Sequence, residues 1–251
     1  MNVRKVKKIL ISQPKPNSEK SPYYEIAEKF DVDMHFYPLI KVERVSLKEF
    51  RQQRINILDF TAVILTARTA VDKFFSLCEE MKIAIPETMK YFCVSEAVAL
   101  YLQKYIVYRK RKIFFSQTGK IDGLNNAFTK HGKEKFLFPV PEEHNDEVTN
   151  FLDQKKMSYT KSVMYRTVSN EFDKDKAFDY DMIVFFSPLG IQSLIKNFPD
   201  FKQEDTAIGC FGSSTAKAVA EAGFRLDCEA PQPDYPSMTA ALEAFLKENH
   251  K

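Results

Sequence analysis

The sequence predicts an α/β protein of two similar halves, each built on a parallel sheet. Short apolar segments typical of buried strands alternate with segments that have the spacing of helices, and this alternation favours parallel sheets. One strand–turn–helix pattern also recurs in the second half of the chain. With 251 residues, of which 44% are hydrophobic and 28% charged, the chain is long enough for two modest cores.

The first elements open an α/β unit. A buried strand is predicted within Lys8–Pro16, where the prolines end it, and a helix over Tyr23–Phe30. The next segment, Met34–Val45, is strand-like but contains Pro38, which suits a central strand poorly because it lacks an N–H. This segment is therefore predicted to be an edge strand or a connector where the chain crosses between domains.

A second run of strands and helices follows. The pattern predicts a buried strand over Phe60–Thr66 and a helix from Thr69 to about Cys78. Another strand, Tyr91–Val94, precedes a helix for which Ser95 is a suitable N-cap. Further strands are predicted at Lys112–Ser116, Lys135–Phe138 and Val163–Val168.

The recurring pattern pairs two turns of the first half with two of the second. The strand and turn before Ser187 resemble those before Ala67, 120 positions earlier. The strand and turn before Ser213 resemble those before Ser95, 118 positions earlier. Since the two offsets nearly agree, a tandem of similar α/β halves is predicted.

The sequence FGSSTA, from Phe211 to Ala216, is the clearest local signal of a ligand site. Gly212 permits a tight turn or a close ligand approach, and Ser213 or Ser214 is predicted to cap the following helix. The free amides of that helix would attract an anion, although an ordinary capped helix is the alternative. The chain has neither the phosphate-binding loop nor the dinucleotide-binding glycine motif, so nucleotide binding is not predicted.

Two further side chains each have two interpretations. Ser187 follows a predicted strand at the edge where parallel sheets bind ligands, so its hydroxyl either helps to hold an anionic group or caps the next helix. No histidine motif accompanies it, which argues against a nucleophilic serine. Tyr165 lies in a predicted strand, where either its hydroxyl faces a cleft or its ring packs in the core.

Composition and charge exclude several other classes. The 4 histidines are scattered without the spacing of metal ligands, so no metal is predicted. The net charge is only +3, and the basic run Arg109–Lys112 is interpreted as a solvated strand edge. The 4 cysteines are widely spaced and are predicted to be free thiols in a reducing compartment. No apolar stretch approaches the roughly 20 residues that cross a bilayer, so a cytoplasmic protein is expected.

Taken in order, these segments resemble the uroporphyrinogen-III synthase family. The resemblance rests on motifs spread over nearly the whole chain. They are Ile9–Pro14 (ILISQP), Val63–Val71 (VILTARTAV), Val163–Val168 (VMYRTV), Val184–Gly190 (VFFSPLG) and Phe211–Gly223 (FGSSTAKAVAEAG).

The resemblance implies a fold of two similar parallel-sheet α/β domains, with one inserted into the other. Two connecting strands would join them, near Tyr37–Arg44 and Ser162–Val168. The first domain would then comprise residues 1–38 and 168–251, and the inserted domain residues 42–164.

The resemblance also implies a cyclising hydro-lyase of heme biosynthesis that uses no cofactor. The family's substrate is hydroxymethylbilane, a linear tetrapyrrole rich in carboxylates, which is closed with loss of water and inversion of ring D. The bilane also closes without an enzyme, giving the uninverted type-I ring. The protein would therefore mainly govern which carbon attacks.

Residue roles carry over by position. Tyr165 would assist departure of the hydroxyl group as a proton donor or hydrogen-bond donor. Ser187, Ser214 and Thr215 would contact substrate carboxylates. The remaining candidate substrate-binding positions are Thr66, Ala67, Ser95, Gly212 and Ser213.

Several positions depart from the family. Ala67 stands where relatives usually carry serine. Val94 and Ala97 replace a glycine and a threonine, and Val140 with Pro141 replaces a glycine and nearby basic residues. These departures weaken the expected substrate contacts of the inserted domain.

Two other functions are compatible with the sequence. A non-catalytic descendant of the fold would bind a tetrapyrrole or another anion without forming type-III product. A nucleic-acid-binding or scaffold protein would use the Arg109–Lys112 run and bind with a steep salt dependence. For the enzyme, a monomer is expected because one chain supplies the whole cleft. It would make transient contact with the preceding bilane synthase and none with nucleic acid or membrane.

Overall fold

The structure, a computed structural model, describes residues 5–172 and 178–250. Its strands are β1 (Lys8–Ile11), β2 (Asp33–Phe36), β3 (Ile40–Arg44), β4 (Ala62–Leu65), β5 (Lys90–Cys93), β6 (Ile113–Phe115), β7 (Phe136–Pro141), β8 (Tyr159–Ser169), β9 (Met182–Phe185), β10 (Ala207–Phe211) and β11 (Cys228–Ala230). Its α-helices are α1 (Pro22–Phe30), α2 (Leu47–Gln52), α3 (Arg68–Glu80), α4 (Glu96–Tyr101), α5 (Asn125–Lys130), α6 (Glu147–Gln154), α7 (Pro188–Asn197), α8 (Ser213–Glu221) and α9 (Met238–Asn249). None of the helices in this described part is long and apolar enough to span a membrane.

The chain divides into two compact units. Unit 1 comprises Met1–Lys41 and Val168–Lys251, and unit 2 comprises Val42–Thr167. Each unit contains a sheet of mainly parallel strands with buried clusters on both faces. The predicted α/β class with parallel sheets is confirmed.

The unit 1 sheet has the strand order β11-β10-β9-β1-β2, and neighbouring strands pair in parallel. Successive residues of β1 face opposite sides, with Ile9 and Ile11 in one buried cluster and Leu10 in the other. Both faces of the strand are covered, which explains its continuous apolar sequence. The strand order reverses between β1 and β9, so the switch point of this sheet lies there.

The unit 2 sheet has the order β3-β8-β7-β4-β5-β6. Val63 and Leu65 of β4 face the cluster under α3, whereas Ala62 and Ile64 face the cluster under α5 and α6. The strands from β8 to β6 pair in parallel, and the order reverses between β4 and β7. The basic run Arg109–Lys112 leads into β6, which is an edge strand as expected.

Strand β7 extends beyond its predicted end at Phe138 and includes two prolines. It pairs with β4 only through Phe136 and Leu137. Pro139 and Pro141 lie further along, where only β8 is paired with β7, so their missing N–H groups disrupt no ladder with β4. The pairing of β4 and β7 therefore ends before β7 does, and the sheet opens at its carboxyl edge.

The predicted strand-like segment Met34–Val45 is two strands with Pro38 between them. β2 is the edge strand of the unit 1 sheet, and β3 is the edge strand of the unit 2 sheet. A hydrogen bond from Val45 N to Met164 O and another from Asn170 N to Leu39 O show that β3 runs antiparallel to β8. Pro38 therefore lies in neither strand, and the predicted edge position applies to both β2 and β3.

The four cysteines are free, as the sequence predicts, and all of them are buried. Burial raises the pKa of the thiols of Cys78, Cys93 and Cys228 to about 12 and that of Cys210 to about 11. These thiols stay protonated at neutral pH and pack as small apolar groups.

Candidate functional site

A cavity of about 300 Å³ lies at the carboxyl edge of the unit 2 sheet, where β4 and β7 part. This edge is the switch point, at which open parallel sheets bind their ligands. The lining residues are Thr66, Val94, Gly119, Lys120, Ile121, Phe138, Val140, Pro141, His144, Asn145, Glu147, Val148 and Tyr165. The structure thus brings together two predicted site residues, Thr66 after β4 and Tyr165 on β8.

Two other predicted residues of unit 2 occupy neighbouring turns but are not among the cavity's lining residues. Ala67 is the N-cap residue of α3 and makes no side-chain cap. Ser95 is the N-cap residue of α4, as predicted, and its hydroxyl accepts a hydrogen bond from Val98 N at 3.4 Å. Their predicted contacts with substrate stay predictions.

Tyr165 is 7% exposed. Within the described part of the chain its hydroxyl makes no hydrogen bond, although buried phenols usually have a partner. Desolvation by burial raises the pKa of Tyr165 above its ordinary value of about 10. At neutral pH the phenol is therefore protonated, and its hydroxyl lies at the wall of the cavity without a protein partner among the described residues.

A β-bulge sets the direction of this side chain. Val140 pairs with Val163, but the next residue, Pro141, pairs with Tyr165, so Met164 is the extra residue. Neighbours on a regular strand face opposite sides, whereas Met164 and Tyr165 lie in the same buried cluster. The backbone oxygen of Tyr165 accepts a hydrogen bond from Glu142 N at 2.9 Å, just after the bulge.

Lys120 lines the same cavity and is not among the site residues predicted from the sequence. It follows Gly119, which has a φ of 75°, in a turn held by hydrogen bonds from Thr118 N to Ser116 Oγ and from Lys120 N to Thr118 Oγ1. Its ammonium group makes no ion pair within residues 5–172 and 178–250. The Ser/Thr/Gly turn directly after a parallel strand is a sequence signal that could have found it.

His144 also lines the cavity and is not among the site residues predicted from the sequence. Its Nδ1 lies 2.9 Å from Pro141 O, and its Nε2 lies 3.3 Å from Lys161 Nζ. This arrangement suits a ring that donates from Nδ1 and accepts at Nε2. Glu147 is the acidic residue among those that line the cavity.

In unit 1, two predicted segments follow adjacent parallel strands and therefore share one edge of the sheet. Ser187 follows β9, and Gly212–Thr215 follows β10. The Ser187 hydroxyl accepts a hydrogen bond from Gly190 N at 3.3 Å and so caps α7. Phe186 stacks on Phe211, which is 37% exposed, with ring centroids 6.4 Å apart beside these turns.

The predicted cap of α8 by Ser213 or Ser214 is wrong. Gly212 is the N-cap residue, with φ 92° and ψ 142°, and no side chain caps the helix. This backbone conformation is open to glycine, so the turn is made by Gly212 and the helix already begins at Ser213. Ser95 therefore corresponds in position to Gly212 rather than to Ser213.

The hydroxyl residues of this turn differ in accessibility. Ser213 and Ser214 are exposed, whereas Thr215 is 1% exposed. The exposed hydroxyl groups of Ser213 and Ser214 are therefore accessible to a substrate. The predicted contacts of these two serines and of Thr215 with the substrate stay predictions. Among the residues that the structure describes, no group of three His, Cys, Asp or Glu side chains could hold a metal ion.

Comparison with known proteins identifies relatives of the chain. The family described as uroporphyrinogen-III synthase HemD matches residues 21–240. A Schizosaccharomyces pombe protein named uroporphyrinogen-III synthase is 24% identical over 246 residues, which cover 91% of this chain and 93% of that protein. The crystal structure of uroporphyrinogen-III synthetase from Helicobacter pylori matches with a TM-score of 0.56 at 18% identity, covering 96% of this chain and 99% of the other. This last likeness concerns the fold.

Proposed function

The chain belongs to the uroporphyrinogen-III synthase family, and we propose that it closes hydroxymethylbilane into uroporphyrinogen III, with loss of water and inversion of ring D. It is a cyclising lyase of heme biosynthesis. The observation that carries the assignment of a site is the switch-point cavity of unit 2, whose wall holds Tyr165 with an unpaired hydroxyl. The Tyr165 motif is also among those on which the family resemblance rests.

Tyr165 acts in this proposal as the donor that assists loss of the hydroxyl group. The carbon–oxygen bond of the hydroxymethyl group breaks, the oxygen leaves as water after accepting a proton, and an electrophilic azafulvene remains. Attack by ring D then closes the macrocycle, through a spiro intermediate that inverts this ring. A protonated phenol can donate to the departing oxygen, and the raised pKa of Tyr165 favours that state.

Lys120 is proposed to bind a substrate carboxylate in the same cavity. An ammonium group without an ion pair is available to a carboxylate, and the substrate is rich in such groups. Val140 and Pro141, at the β7 side of the cavity, replace the glycine and basic residues frequent in the family. Lys120 would supply a cation there from a different loop. The cavity is large enough for part of a tetrapyrrole.

In unit 1, Ser187, Ser213 and Ser214 are proposed to bind other carboxylates. Ser187 caps α7 through its oxygen and keeps a hydroxyl hydrogen to donate. The backbone amides at the start of α8 add donors of the kind that bind anions. We propose that the two units are the two domains expected from the sequence.

The test of the function is a coupled assay in which hydroxymethylbilane is generated in situ with and without this protein. The uroporphyrin isomers are oxidised and separated by chromatography. Predominant type-III product supports the synthase. Only type-I product from a folded protein would reject catalysis and favour the non-catalytic, tetrapyrrole-binding alternative.

The finer properties of the enzyme are also proposals. We expect a cytoplasmic monomer that makes transient contact with the preceding bilane synthase and does not bind nucleic acid. The modest net charge of +3 supports the last point. Salt-dependent binding to a polynucleotide would contradict it.

A further inference from the structure

The side chain of Gln53 pairs with the backbone of β8 in the way that an added strand would. Its Nε2 donates to Val163 O at 2.8 Å, and its Oε1 accepts from Val163 N at 2.9 Å. The same oxygen accepts from the buried Ser162 hydroxyl at 3.3 Å. Val163 is the residue immediately before the extra residue of the bulge, so these bonds hold the bulge on its upstream side.

Arg166 holds the bulge on its downstream side. Its guanidinium donates to both carboxylate oxygens of Glu49, at 2.8 and 3.3 Å, and to Glu43 of β3 at 3.3 Å. A two-pronged arginine–carboxylate contact restricts orientation as well as distance. Tyr165 therefore lies between two residues that are each bound to the region of α2.

Helix α2 is itself fixed at its start by the same glutamate. The Ser46 hydroxyl accepts from Glu49 N, and the Glu49 carboxylate accepts from Ser46 N at 2.8 Å, which forms a capping box. Phe50 anchors the helix in the core, because it is fully buried. The helix and Gln53 directly after it thus form one rigid support, which we name the α2 clamp: Glu49, Gln53 and their contacts with Val163 and Arg166.

We infer that Gln53 is a positioning residue for the reaction, because the α2 clamp fixes the backbone on both sides of Tyr165, which lies at the wall of the cavity. The inference rests on the proposed role of Tyr165. Loss of the clamp leaves the phenol intact but frees the backbone on both sides of Tyr165, so that the hydroxyl is no longer held in one position. A displacement on the scale of 1 Å at a reacting group can cost up to about 100-fold in rate.

The test replaces Gln53 with methionine, which keeps the length of the side chain and removes its hydrogen bonds. We expect kcat to fall roughly 10-fold or more, with little change in KM and a larger share of type-I product. The matched control is Gln52→Met, one residue earlier, where the side chain is exposed and makes no hydrogen bond in the described part of the chain. It is expected to behave as the parent protein.

A double-mutant cycle separates positioning from simple destabilisation. If Gln53 acts through the phenol, Gln53→Met has little further effect on kcat in a Tyr165→Phe background. An equal loss in both backgrounds would overturn the inference, and so would parental kinetics of Gln53→Met. If Tyr165→Phe alone has parental activity, the proposed role of Tyr165 is wrong, whatever the effect of Gln53→Met. The experiment therefore distinguishes an error in the role of Tyr165 from an error in the role of Gln53.

A milder variant covers the case in which Gln53→Met does not fold. Arg166→Lys keeps the charge but removes the two-pronged contact with Glu49. It should lower kcat in the parent protein, again with KM nearly unchanged, and leave the Tyr165→Phe protein unaffected. A loss of similar size in both backgrounds would count against the α2 clamp.

Discussion

The environment of Tyr165 decides what this side chain can do. Desolvation is the cause of its raised pKa, so the phenol holds its proton more tightly than in water. A general base would need the opposite shift. A raised pKa keeps the phenol protonated but makes it a weaker acid, so the proposed role is hydrogen-bond donation to the departing hydroxyl group.

Tyr165→Phe should lower kcat by roughly 100-fold and leave the fold intact, because the hydroxyl that is removed has no hydrogen-bond partner in the described structure. The kinetics of type-III product formation measure the first effect, and thermal unfolding measures the second. Parental activity of the variant would remove the proposed role.

The pH dependence of the same reaction gives a separate check. The donor is present while Tyr165 is protonated and is lost as pH rises through its raised pKa, so kcat should fall only above about pH 10. This alkaline fall should be absent in Tyr165→Phe. A decline near neutral pH that disappears in the variant would show that the pKa is not raised.

Lys120→Met should raise KM roughly two- to five-fold with little change in kcat, because an accessible ammonium contributes a modest ion-pair energy. The effect should shrink as salt is added. Lys133→Met is a suitable control, since Lys133 is exposed and is not among the cavity's lining residues. Equal KM values for both variants would exclude Lys120 from substrate binding.

Gly212→Ala should destabilise the protein by about 1–3 kcal/mol, because the positive φ at this position is costly for any residue with a Cβ. An added Cβ would meet nothing within 4 Å, so the cost would come from the backbone alone. Gly132→Ala is the matched control: its Cβ would make only ordinary contacts, and its φ is not in this range. Urea unfolding of both variants measures the difference.

At the residue scale, the sequence indicates which positions form turns more reliably than it indicates which side chains interact. Gly212 is singled out correctly as a turn residue, but its local pattern does not reveal which residue starts the helix. The turn before Lys120 is visible in the sequence, but the cavity that this residue shares with β4, β7 and β8 is not. Such proximity depends on the order of strands in the sheet, which no local window contains.

At the scale of elements, α2 is short and depends on its first turn. Ser46→Ala should cost about 1 kcal/mol, since it removes the side-chain half of the capping box. Ser213→Ala is the control, because Ser213 lies inside the first turn of α8 and caps nothing. Thermal or urea unfolding should show a loss only for Ser46→Ala, and equal stability of the two variants would contradict the cap.

Acid should weaken the same element. Hydrogen bonds from Ser46 and Arg166 lower the pKa of Glu49 to about 2, below its ordinary value of about 4.3. A depressed pKa stabilises the fold above the unfolded value and ceases to do so as pH falls through the folded value. The contribution of Glu49 should thus be lost between about pH 4 and pH 2. Comparison with Glu49→Gln by pH-dependent unfolding would show this.

Strands differ in how well their patterns predict them. β4 and β9 are continuous apolar runs because both faces are covered, and such runs are conspicuous in a sequence. β7 is predicted too short, because prolines usually end a strand and the parting of β4 from β7 is invisible locally. The bulge in β8 is likewise hidden, since one extra residue leaves the apolar pattern almost unchanged.

At the scale of the whole molecule, we expect a monomer. Multi-angle light scattering should give a mass of 29.1 kDa that does not change with protein concentration. The reason is that one chain carries both sets of proposed substrate-binding residues, so no second copy is needed. A stable dimer would show that the expectation is wrong.

The α/β class could be predicted because it depends on short-range periodicity, which both sheets preserve. The recurrence of similar turns also points to two halves. The pairing of distant segments could not be read from local patterns: β1 lies between β2 and β9, and Ile9 is opposite Met182. Pro38 suggests one crossing between domains, and the family resemblance adds that the chain later returns to the first domain.

That distant pairing has a consequence for synthesis. Strand β1 emerges from the ribosome 173 positions before its neighbour β9. At a synthesis rate of about 5–20 residues per second, β1 is outside the ribosome for roughly 10–35 s before β9 is available for pairing. Val42–Thr167, by contrast, emerges as one continuous stretch. Lys7 and Lys8 stand directly before the apolar Ile9–Ile11, where charges act as gatekeepers against aggregation. In the folded chain the same two lysines have other partners, since Lys7 pairs with Asp31 and Lys8 lies over the ring of Tyr180.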